Sequence, residues 1–174
     1  MAVLEEQVVE MPPEKAEIEI PEIRIFTLYE VPLEDDFQVW LQETCGEYGI
    51  DCGVMLAMAE QESNFDPEGV GEEGELGMWQ IKPSTAAEAE EKEGRRLNLF
   101  KPEDNAKAAV ILLSGYVEKY GTMEKALMAY NMGETAARRC WKNGVTGSKY
   151  AVSVMEKAER YEEKKYNRVV IGDV

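Results

Sequence analysis

Met55-Leu56-Ala57-Met58-Ala59-Glu60-Gln61-Glu62-Ser63 is the stretch on which the reading of this chain turns. An apolar run that ends on two carboxylates suits a helix that leaves a core and reaches a surface at its last turn. At 3.6 residues per turn, positions i and i+2 face apart. Met55, Met58, Ala59 and Glu62 therefore share one face, and Glu60 falls on the opposite one. Glu62 is expected to project from the apolar stripe, and Glu60 to meet solvent. A carboxylate on an apolar wall has its charged form disfavoured by desolvation, which lifts its pKa toward the range a general acid needs. The plainer reading is a glutamate that merely closes a helix face. The residues on either side decide between the two.

Outward from this run the pattern stays helical. Phe37, Trp40, Leu41 and Tyr48 predict a first amphipathic helix, closed near Gly46 to Gly49, and the second helix runs from about Gly53 to Asn64. A glycine-rich acidic loop follows, with Gly69, Gly71, Gly74 and Gly77 interleaved with Glu72, Glu73 and Glu75. Pro83-Ser84-Thr85 opens an alanine- and glutamate-rich helix, with proline at a tolerated first-turn position. Pro102 starts a long helix whose Ala106, Ala109, Val110, Leu113 and Val117 recur at helical spacing, ended by Gly121. Thr122 is an N-cap for a helix through Tyr130 that stops at Gly133. A short helix leads to Gly144, and Ser148 caps a last one through about Lys165, with Tyr150, Val154, Ala158 and Tyr161 on one side. The body, residues 37–165, is predicted to be all-α, followed by a tail over 166–174.

Residues 1–36 read differently. Ile18, Ile20, Ile23, Ile25, Phe26, Leu28 and Tyr29 alternate with Glu, Pro and Arg. This suits an extended strand or small hairpin, or else an acidic spacer, and the spacer is the preferred reading.

Composition removes whole classes of chemistry. At 174 residues and 44% hydrophobic, the chain can bury one core plus a tail. Without a single histidine, Ser-His-Asp and Cys-His machinery, His-ligated zinc and haem are excluded. Cys45, Cys52 and Cys140 lack CxxC spacing, so no metal site and no cofactor are expected; one disulfide with a free thiol and three free thiols both remain open. The net charge of −16 argues against nucleic acid and anionic membranes as partners, because phosphate binding needs clustered Lys and Arg. No apolar run reaches transmembrane length. The first twenty residues carry six glutamates and so form no secretory signal.

Three further segments complete the pattern: Phe65-Asp66-Pro67, then Gly77-Met78-Trp79-Gln80-Ile81, then Ala129-Tyr130-Asn131-Met132-Gly133. Taken in order with Glu62-Ser63, with Asp104-Asn105, Ala108 and Leu112, and with Lys149-Tyr150-Ala151-Val152-Ser153-Val154-Met155, they resemble the soluble lytic transglycosylase (SLT) family, a goose-lysozyme-like branch of the lysozyme fold. The resemblance spans about residues 37–162. It implies an enzyme that cuts peptidoglycan glycan strands outside the cytoplasm, as a monomer, at the MurNAc-GlcNAc β-1,4 bond, leaving 1,6-anhydroMurNAc ends. Glu62 matches the family's sole catalytic carboxylate, and Tyr130 the tyrosine that hydrogen-bonds and orients it. Ser63, Met78, Gln80, Asn131 and Tyr150 match residues that line or close the substrate cleft. The loop departs from the common Gly-Leu-Met-Gln by placing Trp79 after Met78; packing is preferred for this indole over stacking on a sugar.

Two other readings stay open at this stage. A muramidase of the same fold would use water as the attacker, with Glu72, Glu73 or Glu75 as the place for a second carboxylate. A non-catalytic glycan-binding module of a phage or secretion apparatus would need neither.

Overall fold

A computed structural model describes residues 23–171. In chain order these form β1 (Ile23–Tyr29), α1 (Asp35–Glu47), α2 (Cys52–Ser63), α3 (Pro83–Glu93), α4 (Pro102–Tyr120), α5 (Met123–Met132), α6 (Glu134–Lys142), α7 (Lys149–Glu162) and β2 (Lys165–Ile171). Residues 35–162 hold seven helices and no named strand, so the body is all-α, as the sequence led us to expect.

α2 is the element around which the rest is arranged. Every residue from Cys52 to Ala59 is buried, and a helix that is apolar all round belongs inside a core rather than on its surface. Asp51 caps it, its carboxylate accepting the Val54 amide at 3.0 Å. At the other end Asn64 and Phe65 take positive φ, and the Phe65 amide reaches back to the Ala59 carbonyl at 3.2 Å. With Asn64 left-handed and its own amide bonded to the Glu60 carbonyl at 3.0 Å, this is an αL-type stop. It turns the chain sharply just after Glu62, so the carboxylate ends the buried helix at the edge of the core. α7 lies along one side of α2, while α4 packs against α3 and α5.

The strands correct the reading of both chain ends. Residues 23–29 are no spacer: they pair antiparallel with 165–171, in a register that sets Ile25 opposite Val169 and Leu28 opposite Tyr166. The last helix stops at Glu162, and the segment taken as a tail is mostly strand. Phe26 and Leu28 are buried beneath the ribbon, whereas Ile25 and Val169 are 66% and 58% exposed on its outer face. Gln38 of α1 ties β1 down: its side chain accepts the Tyr29 amide at 2.9 Å and donates to the Tyr29 and Leu33 carbonyls at 3.2 and 3.1 Å. Ile18 and Ile20 lie outside the described residues.

Cys45, Cys52 and Cys140 carry free thiols. A hydrogen bond with Cys45, followed by burial, pushes the Cys52 thiol well up. Among the described residues no group of His, Cys, Asp and Glu is arranged to hold a metal ion, and no helix is long and apolar enough to cross a membrane.

Candidate active site

Glu62 opens into a cavity of about 460 Å³ between the end of α2, the loop 69–82, α4 and α5. The carboxyl is half-buried and accepts a hydrogen bond from the Tyr150 hydroxyl at 2.5 Å. Burial pushes its pKa above the ordinary glutamate value; the Tyr150 hydrogen bond opposes this, and the negative charge of Glu75 adds to it. A carboxyl so placed keeps its proton closer to neutrality and can deliver it to a leaving oxygen.

The tyrosines exchange the roles anticipated for them. Tyr130 does not bond Glu62; its hydroxyl donates to the Trp79 carbonyl at 2.8 Å. It still lines the cavity with Glu62, and burial, then the Glu62 charge, push its phenol well up. Tyr150, expected only to close the cleft from the far side, is the group that holds the catalytic candidate. The reason is geometric: α7 lies along α2, so Tyr150 on its first turn meets the last turn of α2. Tyr130 instead reaches the loop.

Glu60 is the second correction. It does not face solvent but is part-buried against α7, bonded to Lys157 and Tyr161, with Arg160 at 3.7 Å. Burial alone would raise its pKa; the bonds from Lys157 and Tyr161 more than offset that and hold it low. It is a structural anion and does not line the cavity.

The loop 69–82 forms the wall facing Glu62. Leu76 exchanges backbone hydrogen bonds with Ile81, each 3.0 Å, which closes a tight turn over Gly77 to Gln80. Asn105 of α4 anchors that turn, its amide accepting the Trp79 N–H at 2.7 Å and donating to the Leu76 carbonyl at 2.9 Å. Trp79 is fully buried and its indole donates to the Met55 carbonyl at 2.9 Å, so it packs and does not stack on a ligand. Met78 is 2% exposed and belongs to the core, not to the cavity wall as the sequence suggested. With Met78 and Trp79 turned inward, Gln80 is left to line the cavity, at a strained φ of 47°.

Ser63 also differs from expectation. Its hydroxyl donates to the Met78 carbonyl at 2.8 Å and accepts the Asp66 amide at 3.0 Å, stitching α2 to the loop without lining the cavity. Asn131 lines it from the end of α5. Tyr116 and Lys82 line it too and were not anticipated. Tyr116 could have been found, because it follows Leu112 at the i+4 spacing of one helix face; Lys82 left no such signal.

Residues 40–153 match the family model described as the transglycosylase SLT domain. The chain belongs to the transglycosylase SLT family. The SLT match runs from α1 into α7 and takes in Glu62, the loop, Tyr130 and Tyr150. A transglycosylase of Enterobacteria phage PRD1 is 28% identical over 91 residues, which are 52% of this chain and 32% of that protein. The lytic transglycosylase Slt of Pseudomonas aeruginosa, solved as an inactive mutant, superposes with a TM-score of 0.63 at 22% identity. The 70-kDa soluble lytic transglycosylase of Escherichia coli gives 0.64 at 19% identity. Both structures are matched over 76% of this chain and 24% of their own. At those identities the structures establish the SLT domain's fold. This chain spans about a third of the phage protein and about a quarter of the two solved enzymes.

Proposed function

We propose that this SLT domain is a peptidoglycan lytic transglycosylase that works outside the cytoplasm, with Glu62 as its single acid/base. Glu62 protonates the glycosidic oxygen between MurNAc and GlcNAc, and the substrate's own 2-acetamido group stabilises the cationic centre. The Glu62 carboxylate then accepts the proton of the C6 hydroxyl as that oxygen closes the 1,6-anhydro ring. Gln80 and Asn131 contact the glycan, and Tyr150 orients the carboxylate.

The observation that carries this reading is the contrast among the carboxylates of one cavity. Glu62 is desolvated and carries a raised pKa. Glu75 is held low by its own backbone amide first, and by Lys82 and the Glu73 amide, against an opposing effect of burial. Glu73 is bonded to Lys82 and is 75% exposed. Neither is a free base poised to activate water, which favours the internal hydroxyl as nucleophile at high effective concentration.

The product tests it. Digestion of peptidoglycan in oxygen-18 water should yield unlabelled muropeptides ending in 1,6-anhydro-N-acetylmuramic acid, one water lighter than hydrolytic products. Labelled ends that borohydride reduces would make the enzyme a muramidase. A second expectation follows from the tyrosines. Tyr150→Phe should lower turnover by roughly ten- to a hundredfold, the range for a lost orienting hydrogen bond. It should also move the alkaline limb of the rate profile upward, because that bond favours the charged form of Glu62. Tyr130→Phe should leave the limb near its original position, since its hydroxyl serves the Trp79 carbonyl.

A further inference from the structure

Glu62 has Tyr150 as its hydrogen-bond partner and no ion pair among the described residues. Glu75, which lines the same cavity, is fixed at both oxygens. Its Oε1 lies 3.3 Å from Lys82 Nζ, and its Oε2 accepts the Glu73 amide at 3.0 Å. The backbone beneath it is equally constrained, with the Gly71 amide donating to the Glu75 carbonyl at 2.8 Å. Gly71 also makes the room: a Cβ there would stand 2.4 Å from Glu75 Oε2 and 2.7 Å from Gln80 Oε1. Lys82 is the cation that lines the cavity, and it is already shared between Glu73 and Glu75. A carboxylate this tightly held is spent as a base but permanent as a charge.

Resting on the reading of Glu62 as the acid/base, we propose that Glu75 is a positioning residue for its reaction: the clamped negative charge acts across the shared cavity on the Glu62 carboxyl and keeps the proton there for the leaving oxygen, while Lys82 sets how much of that charge is felt. Because Glu62 is desolvated, a charge facing it across the cavity is screened less than a charge facing another group on an open surface. The other titratable groups facing Glu62 are phenols that burial keeps neutral: Tyr116 from α4, Tyr130 from α5 and Tyr150 from α7. On the loop, Glu73 is the remaining anion; it is mostly exposed and bonded to Lys82, so its charge is largely masked. Glu75 is thus the anion whose removal Glu62 should sense.

The test is a carbon-13 titration of the carboxyls in the full chain, with the Glu62 signal identified by its loss in Glu62→Gln. In Glu75→Gln the Glu62 midpoint should fall toward the ordinary glutamate value, and the alkaline limb of kcat/KM should fall with it. Added salt should lower the midpoint in the wild type and leave it nearly still in Glu75→Gln. Lys82→Met, which unmasks the charge, should move the midpoint up. Glu73→Gln should shift it less than Glu75→Gln does. A Glu62 midpoint unchanged or raised in Glu75→Gln overturns the proposal, as does a fall in Lys82→Met. The titration needs no substrate, so it stands or falls apart from the reaction: an inactive wild type would sink the transglycosylase reading and leave the coupling measurable.

Discussion

Glu62→Gln is expected to cost several orders of magnitude in kcat/KM while the protein stays fully folded, because one carboxylate is asked to act first as acid and then as base. The stability side of this expectation has a definite sign. The folded state raises the Glu62 pKa, chiefly through burial. A carboxyl raised on folding stabilises fully below its unfolded pKa, and that contribution is lost as pH rises through the folded value. Above the folded pKa the ionised side chain is therefore a burden, and there the glutamine variant should melt no lower than wild type. Glu60→Gln should do the reverse. It leaves turnover within a few-fold, but strips the part-buried Lys157 and Tyr161 of their anion, at a cost of about 1–2 kcal/mol. Kinetics and thermal melts on the two variants give the check. Equal losses of activity in both, with unchanged circular dichroism, would remove Glu62 from its assigned place.

Gly77→Ala should be among the most destabilising single changes in the domain. Gly77 has a φ of 75°, and a Cβ there would stand 2.2 Å from the Leu99 carbonyl oxygen and 2.7 Å from the Asn105 amide. The left-handed backbone alone costs about 1–2 kcal/mol for a residue with a side chain. The Leu99 contact is with backbone, which cannot swing aside, so the turn that carries Trp79 and Gln80 must shift off Asn105. We expect about 3–4 kcal/mol in all, in the class of core and strain defects, and a melting temperature lower by roughly 10 °C. Gly74→Ala is the control. Gly74 also has a positive φ, of 85°, but nothing within 4 Å of a Cβ, so only about 1–2 kcal/mol of backbone strain applies. Equal melting of the two variants would mean that the close approach at Gly77 is not what holds the loop.

The helices and their ends were legible because their signals are local. Thr122 and Ser148 cap α5 and α7 through bonds to amides three residues on, and Pro83 and Pro102 stand at the starts of α3 and α4. The apolar run 55–59 announced a buried helix; helical phase set Glu62 on its apolar face, and the flanking segments that resemble the SLT family singled it out. The β1–β2 ribbon was not legible in the same way: its strands lie more than 130 residues apart, the first reads by itself as part of an interleaved apolar and charged segment, and the second as the start of a tail. Strand pairing is a contact between distant segments, and nothing local says which partner exists.

The site divides along the same line. The residue types and their order are properties of the sequence; they carry the resemblance to the SLT family, and that resemblance picked out Glu62, Gln80, Asn131 and the two tyrosines, together with Met78 and Ser63, which do not line the cavity. Which tyrosine touches the carboxylate was decided by packing: α7 against α2 delivers Tyr150, while the turn held by Asn105 draws Tyr130 to the Trp79 carbonyl. The same packing turned Glu60 from a solvated residue into a part-buried anion, by setting Lys157 and Tyr161 against it. Helical phase fixes a side chain's direction about one axis. What it meets in that direction depends on where the other helices lie, and only the assembled core determines that.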